Sequence, residues 1–194
     1  MHSPHASPTD QLLVFNQQVL NQALALVQAH HTGRPAYAGP AGSHLRHIIE
    51  HYEALVFPST AHVVDYDRRP RDRDLEVNAT LATSRLNTLQ DTLRGWHQRT
   101  LDEPVRVLGQ GGTAGEFDFS VSSSVGRELV FVASHAVHHF ALLLAYCEQH
   151  RIPVPTHFGK APATVAHAKA SANQPSPTIS FLKEYPCFAA QPSA

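Results

Sequence analysis

Two histidines spaced four apart, His135 and His139, lie in Ser134-His-Ala-Val-His-His-Phe140, inside the most apolar helical stretch of the chain. That spacing is close to one helical turn, so both imidazoles leave one face and can reach a single point. Two imidazoles on a buried face are costly to leave without partners. A divalent cation partners both, because each neutral ring offers a lone pair and the ion needs several donors close together. His138 points about 100° away from His139 on the helical period and is the weaker candidate.

A second group of histidines occupies His44-Leu-Arg-His-Ile-Ile-Glu-His-Tyr52. Leu45, Ile48, Ile49, Tyr52 and Leu55 mark an inward face, with His47 beside it and His44 and His51 one turn to either side. His44 and His51 are read as solvated. His47 is expected to point inward and complete a three-histidine site, His47, His135 and His139, across two helices. Three protein ligands leave a coordination position open for water or substrate, which is the pattern of catalytic rather than structural metal sites. A metal held this way lowers the pKa of a bound water or thiol.

Other residues remain as candidates, each with a plainer reading. Glu128 precedes His135 by seven residues and falls nearly on its face, so it is a candidate to orient a ligand or act as a base; a solvated glutamate favoured by the helix N-terminus is the plainer reading. The charged stretch Asp65 to Asp74 could line a substrate mouth, although a solvated loop with local ion pairs is the simpler view. Cys147 is read as a small core residue. Trp96 and Tyr52 are also read as core.

The elements that must position these residues follow from periodicity and punctuation. Ser7-Pro8 supplies a cap and a first-turn proline for a helix carrying Leu12, Leu13, Phe15, Val19, Leu20, Ala23, Leu24 and Val27, which Gly33 and Pro35 end. Ser43 is expected to cap a second helix from His44 to about Phe57, stopped by Pro58. A third runs from about Leu75 to Trp96. Val105 to Gly109 and Glu116 to Val121 alternate around a glycine-rich turn and predict a β-hairpin. Ser122 to Ser124 then cap a fourth helix, Val125 to about His150. The expected fold class is therefore all-α, a four-helix bundle with a small hairpin between the third and fourth helices. Residues 1–155 would form this metal-binding bundle. Residues 156–194 would form an extended Pro/Ala-rich C-terminal arm, not a separate domain, with one short helix near Ala161 to Ala170.

With 194 residues, one domain can bury a core without staples. Fifteen basic against 16 acidic residues give a formal charge of −1, so no broad field holds nucleic acid or an anionic membrane. The two cysteines, Cys147 and Cys187, form no CxxC pattern, which predicts a reducing, cytoplasmic setting without disulfides. The start, MHSPHASPTD, lacks the form of a signal peptide. No apolar run is expected to reach the roughly 20 residues that cross a bilayer.

The segments HLRHIIEHYEAL and SHAVHHFALLLAY, in this order and separated by a long helix, resemble the DinB and YfiT-like superfamily of metalloenzymes. By position, His47 matches the histidine of that superfamily's first motif, and His135 and His139 match its HxxxH. The resemblance covers about residues 8 to 150. Two positions depart from it: Phe140-Ala-Leu stands where Arg-Gly-Gln is common, and His51 stands where an acidic residue is usual. The resemblance implies a four-helix bundle, a divalent ion (zinc, nickel or iron), and thiol-dependent transferase or isomerase chemistry on a small molecule with a low-molecular-weight thiol; an open metal site that activates water adds a hydrolase to the expected classes. The resemblance also implies a homodimer, since relatives often pair. The competing expectations are a non-catalytic metal-binding module for stress response or sensing, and a helical bundle with no metal whose histidines are hydrogen-bonded.

Overall fold

The computed structural model describes residues 6–32 and 36–172. Helix α1 spans Pro8–Thr32, and Ser7 caps it as expected, its Oγ accepting from Asp10 N at 3.0 Å. The predicted stop at Gly33 and Pro35 lies outside the described residues, as does Cys187. Helix α2 spans Gly39–Val56 and starts a turn earlier than the sequence suggested, because Pro40 sits at its first positions. Ser43 is thus inside the helix, its Oγ bonded to Pro40 O.

The single third helix expected from Leu75 to Trp96 is instead three pieces. Helix α3 is Asp74–Val77, α4 is Ala79–Arg94, and Gly95–Gln98 closes as a 3-10 turn. Asn78 causes the break: its backbone is extended, and its side chain accepts from Leu81 N at 3.0 Å to cap α4. Helix α5 spans Val125–Gln149 and is capped by Ser124, whose Oγ accepts from Arg127 N. Helix α6, Pro162–Ala172, corresponds to the short helix expected in the arm and buries no residue.

The all-α expectation is corrected by the strands. Val63–Asp65 forms β1, Pro104–Gly111 forms β2 and Phe117–Ser124 forms β3, in one sheet of order β1-β2-β3. Strands β2 and β3 are the predicted hairpin, antiparallel with Val107 opposite Val121. Strand β1 was not foreseen; it pairs in parallel with β2, Val64 opposite Val107. The described chain is therefore mixed α/β, six α-helices with a three-stranded mixed sheet, and not an all-α four-helix bundle. A three-residue strand shows no readable period, and its pairing is parallel and distant in sequence, so local pattern could not reveal it.

Helix α1 packs on α4 and α5, and α2 packs on the same two. Leu20, Ile48, Leu89 and Phe140, one from each, are fully buried where they meet. Tyr52, Trp96 and Cys147 join that core, as read. By length and apolarity alone α5 meets the criterion for crossing a membrane, contrary to the expectation that no stretch would. Its buried positions, Leu129, Val132, Ala136, Phe140 and Leu143 among them, face the protein core, and core helices pass the same test.

The site is positioned by two contacts. Helices α2 and α5 pack side by side. Strand β1 then carries the chain from the end of α2 back along it, and α3 seats against α2 so closely that a Cβ on Gly42 would lie 1.9 Å from Glu76 O. Residues 66 to 73 are thereby drawn across the histidine face of α2, where Glu50 Oε1 accepts from Asp72 N at 2.7 Å.

Candidate metal centre

His47 on α2 and His135 and His139 on α5 converge. One ring nitrogen from each lies within 4.8 Å of the other two, and all three residues are half-buried. His47 Nε2 is 2.8 Å from His135 Nε2, and His139 Nε2 is 3.2 Å from the same atom. Three nitrogens bound tetrahedrally at metal–nitrogen distances of about 2.0–2.1 Å would be separated by roughly 3.3 Å. The 3.2 Å separation lies at that edge, the 2.8 Å one is shorter, and the third pair is within 4.8 Å.

Hydrogen positions can be assigned from the partners of each ring. Arg69 can only donate, and its Nη1 is 3.0 Å from His47 Nδ1, so that nitrogen accepts and the hydrogen of neutral His47 is on Nε2. His47 Nε2–H then takes the single lone pair of His135 Nε2. His139 Nε2 faces the same atom and finds that lone pair already engaged. No assignment of protons lets three converging imidazole nitrogens satisfy one another, whereas a cation satisfies all three through their lone pairs. On this test the donor set fits a divalent metal.

The electrostatics keep the rings neutral. Burial, then the neighbouring His51 and the Arg69 guanidinium, hold His47 down to about 2. Burial and then His135 bring His139 down to about 4, and burial also lowers His135. Neutral rings bind a cation without a net loss of protons, although His47 must first move its hydrogen from Nε2 to Nδ1.

Two histidines read as solvated belong to this cluster. His51 is buried, with its ring centroid 4.1 Å from that of His47 and 4.5 Å from that of His135. Its Nδ1 donates to His47 O at 2.7 Å, which leaves Nε2 with the lone pair. Burial takes His51 to about 3, although that hydrogen bond acts the other way. His44 is half-buried, its Nδ1 2.7 Å from His139 Nδ1, where it can orient the ring from behind. The signal for both was i, i±3 or 4 spacing around His47, which a solvated reading discounted. His138 is exposed and meets His139 only edge-on, in keeping with its lower rank.

Glu128 is fully buried, not solvated. It accepts from Tyr66 Oη at 2.7 Å, Ser123 Oγ at 2.5 Å and Arg127 Nη1 at 2.8 Å. With three donors on it, and with none of the three converging histidines among its hydrogen-bond partners, Glu128 is a support and not a free base. It fixes Tyr66, which stacks on His51 with centroids 5.4 Å apart; Phe131 stacks on His135 at 5.6 Å. Burial and the Glu128 hydrogen bond push the Tyr66 hydroxyl pKa well up.

The charged stretch is only partly a solvated loop. Arg68 is exposed, but the side chain of Arg69 is 11% exposed and lies against His47. A cavity of about 570 Å³ opens beyond Arg69 and Glu50, walled also by Phe57, Thr60 and Arg85. A second, of about 410 Å³, lies under the hairpin against Tyr66, Phe119 and Phe131. Neither is lined by the converging histidines themselves.

Comparison with known proteins gives one partial likeness. Over 120 residues, 61% of this chain, the sequence is 33% identical to FK506-binding protein 5 of Rhizopus delemar, and the matched part is 31% of that protein. The chain thus spans about a third of the curated relative it matches. No protein-family model matches the chain. No solved structure matches it.

Proposed function

We propose that this protein is a metal-dependent enzyme whose ion is held by His47, His135 and His139. The observation that carries this is the convergence of three neutral imidazole nitrogens within 4.8 Å of one another, with no arrangement of protons that satisfies them all. When bound, the ion supplies Lewis acidity at an open coordination position, where a water or thiol becomes a nucleophile near neutral pH. The chain's own residues orient the site: His44 stands behind His139, His51 packs on His47, and Tyr66 and Phe131 cover His51 and His135. These stacked rings exclude water from one flank.

The likeness of the two histidine segments to DinB and YfiT-like metalloenzymes supports the same reading. It points to hydrolysis or to thiol-dependent transfer or isomerisation of a small molecule, in a cytoplasmic setting and from a homodimer, with zinc, nickel or iron as the ion. The FK506-binding relative matches over too small a part of its length for its name to indicate a substrate here.

One observation favours a second reading, a non-catalytic metal-binding or sensing module: the three histidines line neither cavity, Arg69 and Glu50 lining the first and Tyr66 and Phe131 the second. Elemental analysis after equilibration with zinc, nickel or iron tests the common premise. One ion per chain is expected for the wild type, and none for His47→Ala, His135→Ala or His139→Ala. Equal metal content in all four proteins would defeat the assignment. Turnover of ester and thiol substrates by the loaded wild type then separates enzyme from sensor.

A further inference from the structure

The assignment of His47 creates a conflict at its other ring nitrogen. Donating Nε2 to a cation requires the hydrogen to be on Nδ1, yet Nδ1 now accepts from Arg69 Nη1 at 3.0 Å. Two donors cannot face each other there. Arg69 Nη1 has another acceptor at hand, Glu50 Oε2, 3.5 Å away. That oxygen is buried and forms no hydrogen bond, and Arg46 reaches it only at 3.9 Å. A buried carboxylate oxygen with no hydrogen bond is costly and rare.

We propose that Arg69 and Glu50 are positioning residues that set the tautomer of His47 and so the readiness of the three-histidine site for a cation. Arg69 Nη1 donates to His47 Nδ1 before a cation is bound and to Glu50 Oε2 afterwards. The exchange balances: His47 moves its hydrogen from Nε2 to Nδ1, the guanidinium stays charged throughout, and the orphaned carboxylate oxygen gains its hydrogen bond. The shift is small because Nη1 already lies within ion-pair range of Glu50. It also has a path outward. Arg69 Nε donates to Tyr66 O, and the other oxygen of Glu50 holds Asp72 N, so both partners are anchored in the segment that crosses α2. Arg69 and Glu50 also wall the 570 Å³ cavity, which places the exchange between the ion and that space.

This inference rests on the three-histidine metal reading, and opposite-signed variants separate the two. Arg69→Met removes the group that holds His47 in the wrong tautomer and a cation beside the site, so zinc should bind about tenfold tighter, the scale of one charge-assisted hydrogen bond. Glu50→Gln removes the negative charge that draws Arg69 away and, with its one oxygen held by Asp72 N, turns an NH2 toward the guanidinium, so zinc should bind more weakly by a similar factor. A merely structural role for the pair would weaken binding in both variants. Zinc affinity is read by competition with a chelating dye. Nitrogen-15 NMR of the histidine rings supplies an independent readout in the metal-free wild type: His47 should carry its hydrogen on Nε2, and Arg69→Met should relax that preference. Arg69→Lys guards against a folding defect, since it keeps charge and a donor and should bind zinc within a few-fold of the wild type. Shifts of one sign in both main variants, or His47 protonated on Nδ1 without metal, would overturn the inference while leaving the metal site intact. A wild type that takes up no metal would overturn both.

Discussion

His47 shows how one side chain can be legible in type and yet misjudged in surroundings. Its inward placement follows from the apolar face of Leu45, Ile48 and Ile49, but the company of Arg69, His51 and His44 depends on tertiary contacts that helical spacing does not encode. The shifted pKa values give this cluster a measurable signature. His47, His51 and His139 titrate in the folded protein at about 2, 3 and 4, against about 6.5 in an unfolded chain. Below pH 6.5 the unfolded state therefore binds protons that the folded state refuses, so stability rises with pH across this window. The metal-free protein should hold full stability above about pH 6.5 and lose it progressively as the pH falls toward 4. Urea midpoints in chelator at pH 7.5, 6 and 5 measure this. Replacing His47, His51 and His139 by glutamine should flatten the dependence, and a wild-type midpoint independent of pH would show that the rings are not held neutral.

At the scale of elements, two helix starts were legible in the sequence as a cap before an apolar stripe, Ser7 before α1 and Ser124 before α5, whereas Ser43, read as the cap of α2, lies inside it. The alternation around Gly112 also located the β2–β3 hairpin. What it concealed depends on contacts distant in the chain. The break at Asn78 looks like a polar helical position until the backbone is seen to be extended there, and β1 exists only because β2 lies alongside. Of the two, β1 matters to the site, because with the seat of α3 on α2 it lays residues 66 to 73 across α2. Asn78→Ala should cost about 1 kcal/mol through loss of the α4 cap. Gly42→Ala should cost more, roughly 1–3 kcal/mol, because the added methyl meets a backbone carbonyl and not a yielding side chain. Chemical denaturation reads both. Gly42→Ala should also disturb metal affinity, through the displaced Glu50 and Arg69, whereas Asn78→Ala should leave it nearly unchanged; equal effects of the two on affinity would mean that the seat of α3 on α2 does not set the site.

At the scale of the whole molecule, the three ligands come from two helices that are packed side by side but far apart in sequence, with His47 and His135 separated by 88 residues. An ion bound there ties α2 to α5 and binds only the folded chain with all three nitrogens, so its binding free energy adds to folding. Zinc held at about 100 times its dissociation constant should raise the unfolding free energy by about 2.7 kcal/mol, with a melting temperature that keeps rising with zinc concentration. The fully buried Leu89 on α4 provides the control. Leu89→Ala should lower stability by roughly 2–5 kcal/mol, but the zinc increment should be the same as in the wild type, because an independent site adds. His139→Ala should do the reverse, leaving the metal-free protein close to wild type and abolishing the increment. Should zinc stabilise the His139→Ala variant as much as the wild type, the ion would be acting elsewhere on a chain with 15 histidines, and the coupling of α2 to α5 through these three rings would have to be given up.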